Sequence, residues 1–162
     1  MRKSGLQMGF DKNKILIVED ETPLRIGLAR CIERTGYVAL QAADGPSALE
    51  MVGKHMPGLV ILDVMMHGMS GIEVCRKLKE DPATRTIPVM MVTALNELGD
   101  IERGVESGTD DFVTKPVNKL ELITRVKSLL RVRHLKRELD RTMAYIQSID
   151  RSRPHGQPGP SD

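Results

Sequence analysis

Four stretches of this sequence end in residues that together suggest one chemistry. "KILIVEDE" runs from apolar residues into Glu19, Asp20 and Glu21; "LVILD" ends in Asp63; "IPVMMVT" ends in Thr93; "DFVTK" ends in Lys115. Clustered carboxylates repel one another unless they share a cation or a proton. Mg²⁺ suits such a cluster, because it takes oxygen ligands, keeps several waters and is completed by phosphate oxygens. An Asp carboxylate is a nucleophile toward a phosphoryl group. A metal and a Lys neutralise charge on that group during transfer, and a Thr hydroxyl offers one of its oxygens a hydrogen bond. Each residue alone has a plainer reading. A strand-end Asp is often a loop or cap residue, an acidic triplet before a helix complements its dipole, and a Lys before a Pro is commonplace. Four matching types arriving in order on four such stretches outweigh these plainer readings.

They meet only if the intervening elements carry them to one edge. Consecutive apolar residues predict strands at 14–18, 37–43, 59–63, 87–93 and 111–115, buried on both faces as in a parallel sheet. Helices are predicted between them at 22–36, 46–54, 71–81 and 98–108, and a long one from about 118 to about 149. Thr22 reads as the N-cap of the first helix, with Pro23 in its first turn and Gly36 just past its end. Strict alternation implies an α/β fold: a doubly wound five-stranded parallel sheet with helices on both faces and right-handed crossovers. All strand C-termini then share one edge, where such sheets bind ligands.

Other classes lose ground. No G-x-G-x-x-G follows a strand and no P-loop pattern occurs. Cys31 and Cys75 are the two cysteines and read as small core hydrophobes; a structural zinc site needs more ligands. Without Trp and with 2% aromatic residues, the core must come from aliphatics and Met, so the ten Met read as packing. The start "MRKSGLQMGF" lacks the apolar core of a signal peptide, and no run is long enough to span a bilayer, so a cytoplasmic protein without membrane contact is expected. Residues 1–118 carry 14 Lys and Arg against 17 Asp and Glu, whereas residues 119–162 carry 10 against 5. That asymmetry suggests two jobs.

The motifs "ILIVEDE", "ADGPSALE", "ILDVMMHGMSG", "IPVMMVTAL", "GTDDFVTKP" and "KLELITRVKSLL" together resemble the receiver domain of bacterial two-component response regulators, over roughly residues 14–130. The resemblance implies a flavodoxin-like (βα)5 fold with strand order 2-1-3-4-5, the order for which this family is itself the standard example. It implies Asp63 as phosphoacceptor, taking a phosphoryl group from a sensor histidine kinase or histidine phosphotransfer protein. Glu19, Asp20, Asp63 and the backbone carbonyl of Met65 would hold Mg²⁺. Thr93 and Lys115 would bind phosphate oxygens, and Phe112 would be the aromatic switch that turns inward with Thr93. The signal would leave through the face of the fourth and fifth strands and helices, toward a downstream partner or output domain. The Lys115-Pro116 bond would be cis.

Three residues depart from the family's commoner pattern. Glu19 stands where Asp is usual and would reach the metal through water or shift its affinity. Phe112 replaces Tyr, and His67 replaces Pro. His67 reads as a solvated loop residue beside Gly68 and Gly71, since a hard cation prefers oxygen. Met65 and Leu95 would flank the phosphoryl site and slow hydrolysis.

The expected organisation is a flexible leader at 1–13, the receiver at 14–130, an extension of the last helix at 131–150, and a disordered Pro/Gly/Ser-rich tail at 151–162. In the extension Val132, Leu139 and Ile146 recur every seven residues, with Leu135, Thr142 and Ile149 beside them. This short, imperfect heptad could pair two copies in a homodimer, pack back on the domain, or remain a solvated basic helix. No DNA-binding motif accompanies it, so DNA is not an expected partner. The sequence fits either a single-domain regulator or part of a longer protein. Two other readings stay open: a receiver-like interaction module that is never phosphorylated, and an enzyme working through an aspartyl phosphate. The first would be favoured by loss of an acid, the Thr or the Lys. The second wants an added proton donor and a cap domain, so a signalling switch rather than an enzyme is expected.

Overall fold

The computed structural model describes residues 11–94 and 98–153. The elements run β1 (Asp11–Val18), α1 (Thr22–Arg34), β2 (Val38–Ala42), α2 (Gly45–His55), β3 (Pro57–Asp63), α3 (Gly71–Glu80), β4 (Val89–Ala94), α4 (Leu98–Ser107), β5 (Asp111–Lys115) and α5 (Lys119–Ser152). All strand pairings are parallel, in the order β2-β1-β3-β4-β5. This is the doubly wound, flavodoxin-like sheet that the alternation and the resemblance lead one to expect.

Side chains alternate across the sheet, as a period of two requires. Leu16, Val18, Val60, Leu62, Val89 and Met91 point to one face, where Ala48 and Val52 of α2 and Val74, Cys75 and Leu78 of α3 cover them. Ile15, Ile17, Leu59, Ile61, Met90 and Val92 point to the other, under Leu28 and Ile32 of α1 and Leu122 and Val126 of α5. Every residue of β3 is buried. Each such aliphatic side chain contributes about 1.5–3 kcal/mol, enough in sum to carry a strand that ends in a buried carboxylate.

Several boundaries differ from the sequence reading. β1 begins at Asp11, with a register irregularity against β3 between Asp11 and Ile15, so 11–13 belong to the sheet and not to a leader. The N-cap of α1 is Glu21, with no side-chain cap hydrogen bond; Thr22 is already helical, which leaves Pro23 within the first turn, where a missing N–H costs no intrahelical bond. α5 includes Arg151 and Ser152, where the tail was expected to begin; the Ser152 hydroxyl donates to the Ser148 carbonyl. Residues 1–10, Leu95 and 154–162, on which the leader, the flanking Leu and the rest of the tail were placed, lie outside the described residues. Met1–Leu130 and Arg131–Asp162 separate as two compact units. No helix among the described residues is long and apolar enough to cross a membrane.

One close approach fixes the edge where β3 ends. Gly71 opens α3, and its N–H donates to the Val64 carbonyl at 3.0 Å. A Cβ there would lie 2.1 Å from the Asp63 carbonyl oxygen, so only glycine lets α3 start against the Asp63 loop. Ser70 and Glu73 lock that start with a reciprocal capping box. In chemical denaturation, Gly71→Ala should cost about 1–3 kcal/mol by overpacking. Gly27→Ala, where a Cβ meets nothing within 4 Å, should be neutral or stabilising by up to about 1 kcal/mol.

Candidate functional site

The register brings the chemistry-bearing residues to one end of the sheet. Val18 pairs with Leu62, so Glu19 and Asp63 leave adjacent strands at the same level. Asp63 pairs with Val92, and beyond it Thr93 pairs with Thr114 and Ala94 with Lys115. The Glu19 N–H still donates to Ala42 O at 3.1 Å, extending the ladder one residue past β1, and Arg25 of α1 donates to the Glu19 carbonyl at 2.9 Å.

Asp63 is 3% exposed. Its Oδ2 lies 3.1 Å from the Lys115 ammonium, and its Oδ1 accepts the Met65 N–H at 3.2 Å. Glu19 is equally buried; its Oε1 accepts the Glu21 N–H at 3.2 Å. Glu19 Oε2 accepts no hydrogen bond, and Lys115 Nζ stands 3.9 Å away. One carboxylate oxygen from each of Glu19, Asp20 and Asp63 falls within 4.8 Å of the others. At about 4 Å, two like charges in a protein-surface environment repel by about 4 kcal/mol. One ammonium among three carboxylates leaves that repulsion unbalanced.

The titration behaviour reflects the imbalance. Burial, with Asp63 beside it, pushes the Glu19 carboxyl up to about 8. Burial works against the Lys115 ammonium, but the bond to Asp63 and the charges of Asp63, Glu19 and Glu21 outweigh it and hold Lys115 above the usual lysine range. Asp20 goes the other way. The His67 ring Nδ1, at 2.8 Å from Asp20 Oδ2, and the His67 backbone N–H, at 3.0 Å from the same oxygen, hold its carboxyl below the usual range.

The donor set fits a hard divalent cation. All three side chains offer oxygen, and one buried acceptor among them, Glu19 Oε2, has no hydrogen bond. Met65 exposes its side chain while its backbone stays tied to Asp63. Thr93 is buried, and among the described residues its hydroxyl's bond is a long one, 3.4 Å to the Ala94 carbonyl. Phe112 packs on the core face that includes Met91, beneath α4, where a Cβ on Gly104 would come within 2.8 Å of its ring. The Lys115-Pro116 bond is cis. Cys75 is buried and Cys31 partly so, and neither forms a disulfide.

The sequence reading placed His67 in solvent, and its ring is indeed fully exposed. It missed the bond to Asp20, 47 positions away, which no local signal announces; it arises because the β1 and β3 loops leave adjacent strands on the same side.

The model of the response regulator receiver domain family matches residues 15–127. The chain is 46% identical over 127 residues to the response regulator PleD of Caulobacter vibrioides, covering 78% of this chain and 28% of PleD. It is 42% identical over 118 residues to the phosphate regulon transcriptional regulatory protein PhoB of Escherichia coli, covering 73% of this chain and 52% of PhoB. The chain thus spans from about a quarter to about half the length of these relatives. Among solved structures, the signal receiver domain of a signal transduction histidine kinase from Syntrophus aciditrophicus superposes with a TM-score of 0.69 at 41% identity, over 73% of this chain and 89% of that one. The Vibrio cholerae chemotaxis protein CheY4 superposes with a TM-score of 0.69 at 25% identity, over 73% and 98%. With the family model matching most of the chain on this parallel sheet, the chain belongs to the response regulator receiver domain family.

Proposed function

We propose that this protein is a phosphorylation-dependent switch whose acceptor is Asp63. The observation that carries the reading is the buried Asp63 carboxylate held by Lys115 at 3.1 Å, beside two further acids that one ammonium does not balance. Glu19, Asp20, Asp63 and the Met65 carbonyl would hold Mg²⁺, which when bound supplies positive charge to the incoming phosphoryl oxygens. An Asp63 oxygen forms the new P–O bond while the donor's P–N bond breaks and its electron pair returns to the donor imidazole. Lys115 already touches the acceptor and needs little movement to neutralise a phosphoryl oxygen. Thr93 gives up only a long hydrogen bond to turn toward the group. Phe112, seated against Gly104, links that turn to the face built by β4, α4, β5 and α5.

The donor would be a histidine kinase or phosphotransfer protein in the cytoplasm. An apolar groove lined by Leu24, Leu28, Cys31, Pro116 and Val117 reaches Lys115 and offers such a partner a surface beside the acceptor. The longer relatives support a downstream partner or output domain as the receiver of the signal.

A homodimer through α5 is favoured by one further observation. Val132, Leu135, Leu139, Ile146 and Ile149 are all exposed large hydrophobics on its C-terminal part, at the heptad spacing of a coiled-coil seam.

Incubation with Mg²⁺ and acetyl phosphate should add one labile phosphoryl group by intact mass, absent in Asp63→Asn. No gain with any phosphodonor would refute the switch. A second expectation follows from Glu19. The unfolded chain loses this proton near the ordinary 4.5, whereas the folded chain keeps it until about 8. The metal-free fold should therefore lose stability as pH rises between those values, the loss being complete above about 8. Mg²⁺ must displace that proton at low pH, so the rise in Tm it produces, followed by circular dichroism, should be larger at pH 8.5 than at pH 5; equal rises would contradict this. For the dimer, sedimentation should report two chains for the wild type and one for Leu139→Asp, and a wild-type monomer at high concentration would remove the idea.

A further inference from the structure

Asp20 and His67 form a contact that the phosphorylation chemistry above does not use. His67 sits on the loop between β3 and α3, four residues past the acceptor, and its side chain is fully exposed. Despite that exposure, two donors from this one residue converge on one acceptor. The ring Nδ1 lies 2.8 Å and the backbone nitrogen 3.0 Å from Asp20 Oδ2. The turn is set by Gly68, whose φ of +76° lies in the left-handed region, where glycine bears no side-chain penalty.

A carboxylate that ligates a metal usually has its remaining valence fixed by a hydrogen bond from outside the coordination shell, and losing that partner typically weakens the metal about 10- to 100-fold. Asp20 is the most exposed of the three clustered acids and the one with most rotational freedom to lose. Two donors on Oδ2 fix the orientation of the carboxylate, one oxygen of which lies within 4.8 Å of oxygens of Glu19 and Asp63.

We infer that His67 is a positioning residue for the divalent cation: its ring and backbone N–H together clamp Oδ2 of Asp20, so that the carboxylate is held in place within the acidic cluster. This rests on the cation site put forward under the proposed function, and concerns Asp20 alone within it. The backbone N–H contributes in any non-proline residue at position 67; the ring is what this sequence adds. Nδ1 donates in the corresponding neutral tautomer and in the protonated ring alike. A ring acting only as a nearby positive charge would instead repel the cation, so the direction of the effect separates the two roles. Because the ring is solvent-exposed, its share should fall below the range for buried partners, at about three- to tenfold.

The test is calorimetric titration of the full chain with MgCl₂ at pH 8, comparing wild type, His67→Ala, His67→Asn and His67→Pro. His67→Ala keeps the backbone donor and removes the ring; it should weaken Mg²⁺ about three- to tenfold. His67→Asn, whose amide N–H reaches about as far as Nδ1, should restore most of that loss, which a general loosening of the loop would not allow. His67→Pro removes both donors and should bind more weakly than His67→Ala. Melting temperatures in EDTA should be the same for wild type, Ala and Asn. Equal or tighter binding by His67→Ala, or no recovery in His67→Asn, would overturn the inference while leaving the cation site intact. A wild type that does not bind Mg²⁺ at all would overturn both the site and the inference.

Discussion

The constraint on which this structure turns is a charge deficit at the end of β3. Asp63 and Glu19 are both nearly sealed from water, Asp20 completes the group, and Lys115 is the ammonium that reaches the buried pair. Such an arrangement is poor for stability taken alone. Replacing buried charges with apolar groups is often neutral or stabilising, and Glu19 answers its burial by keeping its proton toward pH 8. The aliphatic strands that carry the cluster supply the free energy that tolerates it. Ile15 to Val18 and Leu59 to Leu62 are essentially inaccessible on both faces of the sheet, and the acids begin where those runs stop.

The same deficit explains why the neighbouring elements are so tightly specified. α3 must start close enough to Asp63 that only Gly71 fits, and the Ser70–Glu73 box holds it there. α1 reaches back through Arg25 to the Glu19 carbonyl. Lys115 ends a strand whose register pairs it with Ala94 of β4, one residue past Thr93. On the proposed function, a phosphoryl group on Asp63 would replace a single carboxylate charge with a phosphate of about two, a net gain of about one negative charge, so the positive charge at this edge would have to rise first. On the same proposal Thr93 and Phe112 would read that change: one has a long hydrogen bond to exchange, the other is wedged beneath α4 where no side chain at position 104 obstructs it.

Much of this was legible in the sequence, for identifiable reasons. Apolar runs that end in Glu19, Asp63, Thr93 and Lys115 give both the strands and the polar edge, because a parallel sheet aligns its C-termini. The sheet order came from resemblance; periodicity alone does not fix it. What stayed hidden was long-range or conformational. The start of β1 at Asp11 is polar and is recruited by pairing with Pro57 of β3, a tertiary effect. Glu21 caps α1 through backbone geometry without a side-chain bond, which residue preferences cannot reveal. His67 looked like a bystander because its partner lies on another strand's loop, and composition does not encode that meeting.

On the proposed function, this edge accepts a phosphoryl group only after a divalent cation has filled its deficit. The most direct measurement is ¹⁹F NMR of the full chain with beryllofluoride, a phosphoryl mimic, in EDTA and then with added Mg²⁺. The account predicts protein-bound fluorine resonances that appear only with Mg²⁺ and are missing from Asp63→Asn. Bound resonances in EDTA, or an adduct that survives the loss of Asp63, would contradict it.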